Sequence, residues 1–306
     1  MDIARFITLY ETHLKIIGRA YHTIRGTRYN LKSFARYLEG EGVGSIEQLS
    51  REVIEDYQQE LAFSLTAKGR PLSVRSQIKK LNAVIGFTRF LKEADYLVHD
   101  PGAGIKRPRE PQRLPASILT PREVGRLMNA PDMRTYTGYR DRVLLELLYD
   151  TAIRRAELSG IRLHDIDTDT GYIQVTGKGD KQRVVPLSGR VCEIVDNYLQ
   201  FVRPALVNDP DHGYLMVNDK GEQMRTHTVW RIVKACAHQA RIKKNVTTHT
   251  FRHTCATHML KNGAPVRHLQ EMLGHASLES TQIYTRVTIN DLKDVHAKYH
   301  PGARVK

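Results

Sequence analysis

Apolar residues recur at a helical period through most of this chain, with one interruption where the period falls to two. Ile3, Phe6, Ile7, Tyr10, Leu14 and Ile17 mark a first helix that Gly18 closes. Ile24, Leu31, Phe34 and Leu38 mark a second, residues 50–64 read as a third, and a fourth runs from Ser73 to about Lys92 with Val74, Ile78, Leu81, Ile85 and Phe90 or Leu91 inward. Short connections between four such helices predict a small all-α domain. The pattern then stops: residues 106–117, KRPREPQRLPAS, are charged, hold three prolines and show no periodicity, as an exposed linker would.

Beyond the linker, Thr120-Pro121-Arg122-Glu123 supplies a capping residue, a proline at the first helical position and a glutamate three beyond the cap. An apolar helix follows over roughly Tyr139 to Tyr149. Residues 163–187 then carry two β-prone runs, Tyr172 to Thr176 and Arg183 to Leu187, around a turn containing Gly177-Lys178-Gly179-Asp180. Helical patterning resumes to about Lys298. The pattern predicts a mainly α two-domain protein. An all-α domain spans 1–107, a linker 108–117, and a mixed α+β domain, mostly helical with a small antiparallel sheet, 118–306.

Charge adds a partner. Lys and Arg number 47 against 33 Asp and Glu, a net charge of +14, and both halves share the excess, +5 over residues 1–107 and +9 over 108–306. A basic balance spread over two folded domains points to a polyanion such as nucleic acid. In the second helix Arg25, Arg28, Lys32 and Arg36 form one stripe, and Arg75 and Lys79 stay on the polar side of the fourth. Such a like-charged stripe is either a tolerated solvated face or a face matched to DNA phosphates. Cys192, Cys236 and Cys255 are scattered and odd in number, so neither a disulfide framework nor a zinc site is expected, and no metal-ligand cluster stands out. No apolar leader segment and no run of about eighteen apolar residues appears, which predicts a cytoplasmic protein without membrane contact.

Candidate chemistry concentrates between Thr248 and Tyr284. His249 and Arg252 are three apart on a predicted helix and so share a face, where they can address one anion; His275 follows in Leu-Gly-His and Tyr284 closes the run. Each feature alone has an ordinary structural explanation. Together, Thr-Ala-Ile-Arg-Arg-Ala-Glu-Leu at 151–158, a hairpin lysine, His-x-x-Arg, Leu-Gly-His and a tyrosine nine residues on resemble the tyrosine recombinases, the phage-integrase and Xer-like DNA recombinases. The helical basic domain and the linker resemble that family's core-binding domain and its connection.

The resemblance implies a site. Arg154 and Arg252 match the family's two catalytic arginines, Lys178 the hairpin lysine with Lys181 as near rival, and His249 and His275 its two histidines. Tyr284 matches the nucleophile and Glu157 an acidic position that orients an arginine. It implies a site-specific recombinase that cleaves and rejoins DNA through a 3′-phosphotyrosyl link with no cofactor and no metal. The role would be DNA integration and excision or chromosome dimer resolution. The partners implied are double-stranded recombination sites, two of them bound by a homotetramer or by a heterotetramer with a second recombinase. A type IB topoisomerase-like strand transferase and a catalytically silent DNA-binding protein are the alternatives. Ala152 stands where the family usually has glycine, which bears on local backbone geometry. His253 and His258 read as structural or DNA-facing, and the tail with Ile289, Leu292 and Val295 as a helix that docks on a neighbouring subunit or on its own domain.

Overall fold

The computed structural model describes residues 2–110, 118–177, 180–274 and 295–304. The chain divides into two compact units, 1–113 and 114–306.

In the first unit, α1 (Ile3–Ile16) starts where Asp2 accepts the Ala4 N–H at 2.9 Å, and buries Ile3, Phe6, Ile7, Tyr10 and Leu14. Ile17, which the period placed inward, lies just past the helix and is half exposed, because Gly18 at φ +70° turns the chain away. Helix α2 (Tyr21–Gly40) buries Ile24, Leu31, Phe34 and Leu38, and α3 (Arg51–Phe63) buries Ile54, Tyr57 and Leu61. Helix α4 (Val74–Glu93) packs against all three, so its buried residues spread over more than one face: Leu81, Val84, Ile85, Phe87, Thr88, Phe90 and Leu91. Val74 and Ile78, expected inward, are only half buried. Gln77 goes in instead, because its amide donates to Leu72 O at 3.0 Å and so enters the core already paired.

The second unit is built around a helix that is buried on nearly every side, its charged residues Arg140, Arg142, Glu146 and Asp150 included. Helix α5 (Pro121–Met128) begins with the reciprocal cap that the sequence spells: Glu123 N–H donates to Thr120 Oγ1, and Thr120 N–H to Glu123 Oε2. Helix α6 (Tyr136–Asp150) buries Val143, Leu144, Leu145, Leu147 and Leu148 in succession, the signature of a central helix. The short α7 (Arg155–Gly160) leads to an antiparallel sheet in the order β1-β2-β3, with β1 (Ile166–Asp167), β2 (Tyr172–Thr176) and β3 (Gln182–Pro186). The hairpin pairs Val175 with Arg183 and Thr176 with Gln182, so β3 begins one residue earlier than the sequence suggests. Helix α8 (Gly189–Asn197) runs through a π-helical turn, Tyr198–Val202, into α9 (Arg203–Leu206).

Helices α10 (Thr226–Gln239), α11 (Thr248–Lys261) and α12 (Val266–Leu273) complete the body, with α11 against α6. Residues 295–299 are helical, and Val295 and Tyr299 pack on this unit's own core, while Ile289 and Leu292 lie outside the described residues. No helix among the described residues is long and apolar enough to cross a membrane.

Candidate active site

The site forms where three loops and helix ends meet at the C-terminus of α12. Thr247 caps α11 by accepting the Thr250 N–H, which fixes the first turn of that helix and places His249 and Arg252 on it. Arg252 is buried and donates from one terminal nitrogen to Ala152 O at 2.9 Å and from the other to Leu273 O. Arg154 precedes α7. Its guanidinium donates to Glu157 Oε1 at 2.8 Å and to Gly274 O at 3.4 Å, and its backbone N–H to Glu157 Oε2 at 2.7 Å. Arg183 on β3 donates to Met272 O at 3.0 Å and grips both oxygens of Glu157, at 3.0 and 2.8 Å.

The carbonyls of Met272, Leu273 and Gly274 therefore each receive a different arginine, from three separate elements. A helix leaves its last carbonyls unpaired and its C-terminus partly negative, so cations gather there without added acidic residues. Gly274 makes this end possible. It takes φ +61°, and a Cβ on it would lie 3.1 Å from Arg183 Cδ.

Three positive groups around one carboxylate set the electrostatics. Burial, followed by repulsion from Arg154, lowers the Arg252 pKa to about 10, which still leaves it charged at neutral pH. Loss of hydration and then the Arg252 charge depress His249 below the ordinary histidine range, so its ring is neutral at pH 7. Burial alone would raise the Glu157 carboxyl, but hydrogen bonds from Arg183 and the Arg154 backbone outweigh it and hold the group ionised. The Arg154 side chain remains 38% exposed, a forked cation facing solvent beside a neutral imidazole. Such a surface suits the oxygens of a phosphate, and a neutral histidine can accept a proton there.

Of the residues singled out in the sequence, Arg154, Glu157, His249 and Arg252 are described and belong to one region. Lys178, His275 and Tyr284 lie outside the described residues. Their neighbours in sequence are informative: a Cβ on Gly177 would sit 3.5 Å from Glu157 Oε1 and 3.6 Å from Arg183, and Gly274 touches the arginine cluster directly. Lys181 is exposed, and its carbonyl accepts the Gly177 N–H at 2.8 Å to close the turn. Arg183 was not picked out by the sequence pattern, because its partners are 26 and 89 positions away.

Ala152 takes φ +51° while fully buried, a left-handed conformation that costs an alanine energy and a glycine almost none. His253 is exposed, whereas His258 is buried and bonded to the Tyr149 hydroxyl at 2.9 Å, which makes it structural rather than DNA-facing. The three cysteines are free and buried, and burial pushes the Cys236 thiol up to about 12. In the first unit Arg25, Arg28, Lys32 and Arg36 on α2 and Arg75 and Lys79 on α4 are all exposed, and Lys80 donates to Ser33 at 2.6 Å to stitch the two helices together. Arg28 pairs with Glu11 at 3.2 Å and Arg75 with Glu110 at 3.5 Å, which leaves Arg25 and Lys32 the more available of the stripe.

One further cluster appears only in three dimensions. Asp150, His296 and His300 are buried together, with potential ligand atoms within 4.8 Å of one another. Among the described residues, three of the four imidazole nitrogens have hydrogen-bond partners: His296 Nε2 lies 3.0 Å from Asp150 O, His300 Nε2 3.2 Å from Tyr149 O, and His300 Nδ1 accepts the Gly302 N–H at 3.0 Å. Asp150 Oδ2 accepts the Ser188 N–H at 2.9 Å. The arrangement thus clamps the C-terminal helix onto the last carbonyls of α6, four residues before Arg154.

The sequence pattern of the phage integrase family matches residues 117–290. Tyrosine recombinase XerD of Staphylococcus haemolyticus is 35% identical to this chain over 300 residues, spanning 97% of this chain and 99% of that protein. Among solved structures, a lambda integrase dimer bound to a COC′ core site superposes with a TM-score of 0.70 at 18% identity, covering 94% of this chain and 100% of that one. A lambda integrase tetramer bound to a Holliday junction gives 0.69 at 16% identity, covering 94% and 81%. These structural likenesses establish the fold, and the sequence matches establish the kinship: the chain belongs to the phage integrase family and is a tyrosine recombinase.

Proposed function

We propose that this protein is a site-specific DNA recombinase whose scissile phosphate is held by Arg154 and Arg252 and attacked by Tyr284. The observation that carries the reading is the convergence of those two arginines on the end of α12, one residue before His275. Guanidinium groups stay charged and present forked donors, so they stabilise the crowded oxygens of a pentacoordinate phosphorus more than those of the ground state.

In the proposed cycle the Tyr284 oxygen bonds to phosphorus as the bond from phosphorus to the 5′ oxygen breaks. The phenolic proton passes to neutral His249, and Lys178 gives a proton to the departing 5′ oxygen. His275 donates a hydrogen bond to a non-bridging oxygen. Attack by a 5′ hydroxyl from the partner duplex reverses the sequence and reseals the strand. The basic residues Arg25, Lys32, Arg36, Arg75 and Lys79 of the first unit, with Arg28, contact phosphates away from the cut. The division at residues 1–107 and 118–306 separates DNA grip from chemistry. Two duplex sites are held by four subunits, all copies of this chain or shared with a second recombinase, as the lambda integrase tetramer on a Holliday junction suggests by analogy. The exchange serves integration and excision of DNA or the resolution of chromosome dimers.

A nicked suicide duplex carrying the cognate site tests the reading. Wild-type protein should form a covalent adduct and Tyr284→Phe none; an adduct that survives Tyr284→Phe overturns the assignment. Recombinant product from linear two-site DNA distinguishes a recombinase from a topoisomerase-like strand transferase.

A further inference from the structure

We infer that Arg183 is a positioning residue of this site, one that sets the distance between the hairpin turn and the arginine pair. It rests on the proposed roles of Lys178 and Tyr284. Arg183 lies on β3, five residues after Lys178, and its three nitrogens are all committed: two to the carboxylate of Glu157 and one to Met272 O. Glu157 is in turn bound to the Arg154 guanidinium and backbone. One side chain therefore connects the hairpin, the arginine-bearing turn before α7 and the end of α12.

Its shape matters as well as its charge. The planar fork meets the two carboxylate oxygens in parallel while Nε reaches the helix end, a geometry a lysine ammonium cannot copy. The fork also lies against two glycines of the site, 3.6 Å from the Cβ position of Gly177 and 3.2 Å from that of Gly274. Gly177 precedes Lys178, and Gly274 precedes His275. Displacing Arg183 frees the turn that carries the proposed proton donor, and displacement of a reacting group by about 1 Å can cost about 10²-fold in rate.

The test uses full-length protein and two suicide duplexes, one with an ordinary scissile phosphodiester and one with sulfur replacing the bridging 5′ oxygen. Sulfur departs without being protonated, so it bypasses the proton donor. Arg183→Gln and Arg183→Lys should slow adduct formation on the ordinary duplex about 10²-fold, with DNA affinity within about threefold of wild type, an expectation from Arg183 being bound to protein groups rather than facing solvent. On the sulfur duplex most of that loss should disappear. Thermal melts identify any variant that is unfolded at the assay temperature, and the lysine variant, which keeps a charge beside Glu157, is the one to read in that case. Ordinary-duplex cleavage within threefold of wild type, or an equal loss on both duplexes, overturns the inference. Failure of the underlying reading looks different: wild type would form no adduct, or Lys178→Ala would not be rescued by sulfur.

Discussion

Arg183 and Glu157 are joined by two parallel hydrogen bonds of 3.0 and 2.8 Å, and the same carboxylate also receives the Arg154 guanidinium. Glu157 is nearly inaccessible to water, with its side chain 3% exposed, so removing its charge leaves the largely buried Arg183 without its counter-charge, while Arg154 keeps access to solvent. Glu157→Gln should destabilise the protein by about 3 kcal/mol in urea unfolding. A loss under about 0.5 kcal/mol, the range of a surface substitution, would show that the carboxylate does not hold the arginines together.

Ala152 offers a test with the opposite sign. Its left-handed backbone is an unfavourable place for any side chain, and the carbonyl it presents to Arg252 depends on that conformation. Ala152→Gly should raise stability by about 0.5 to 1 kcal/mol, while Ala152→Val should lose more than that and impair cleavage. Melting curves and adduct formation on one suicide duplex measure both effects.

Acid should loosen the C-terminal clamp. Complete burial, outweighing attraction to Asp150, lowers the His300 imidazole from 6.5 to about 4. The unfolded chain then binds more protons than the folded one between those values. Stability is full above about 6.5 and falls as pH drops toward 4, by up to about 3 kcal/mol from this one group. His300→Gln removes the titration. Unfolding free energies at pH 7, 6 and 5 should show a shallower slope in the variant, and an unchanged slope would assign the acid sensitivity elsewhere.

Salt dependence probes the basic stripe of α2. Arg25 and Lys32 are exposed and have no acidic ion-pair partner among the described residues, unlike Arg28. If each meets a phosphate, Arg25→Ala and Lys32→Ala should each reduce the slope of log K against log salt by about 0.9. Slopes equal to wild type would return the stripe to a merely solvated face.

Gly274 links fold and site at a single backbone position. A methyl there would be strained by φ +61° and pressed against Arg183. Gly274→Ala should cost about 1 kcal/mol or more in stability and slow cleavage more than it weakens DNA binding. Band-shift and single-turnover assays separate the two.

Much of this protein was legible one helix at a time. The period of Ile3 to Leu14, the capping residues around Thr120 and the alternation at Tyr172 to Thr176 each depend on neighbours within a turn or two, so local sequence determined them. The candidate residues Arg154, Glu157, His249 and Arg252 were singled out the same way, from short strings of particular residue types. What local pattern could not supply was the set of partners. Gln77 displaced Ile78 from the core of α4 because of a bond to Leu72, and Arg183 acquired its place through Glu157 and Met272, far away in the chain. The Asp150 clamp spans some 146 to 150 positions, and the positive φ of Ala152 belongs to a residue type that gives no warning of it. Sequence alone singled out candidate side chains with the chemistry to handle phosphate. Tertiary structure decided that three arginines share one helix end, because unpaired carbonyls there attract cations from whatever segments the fold brings near.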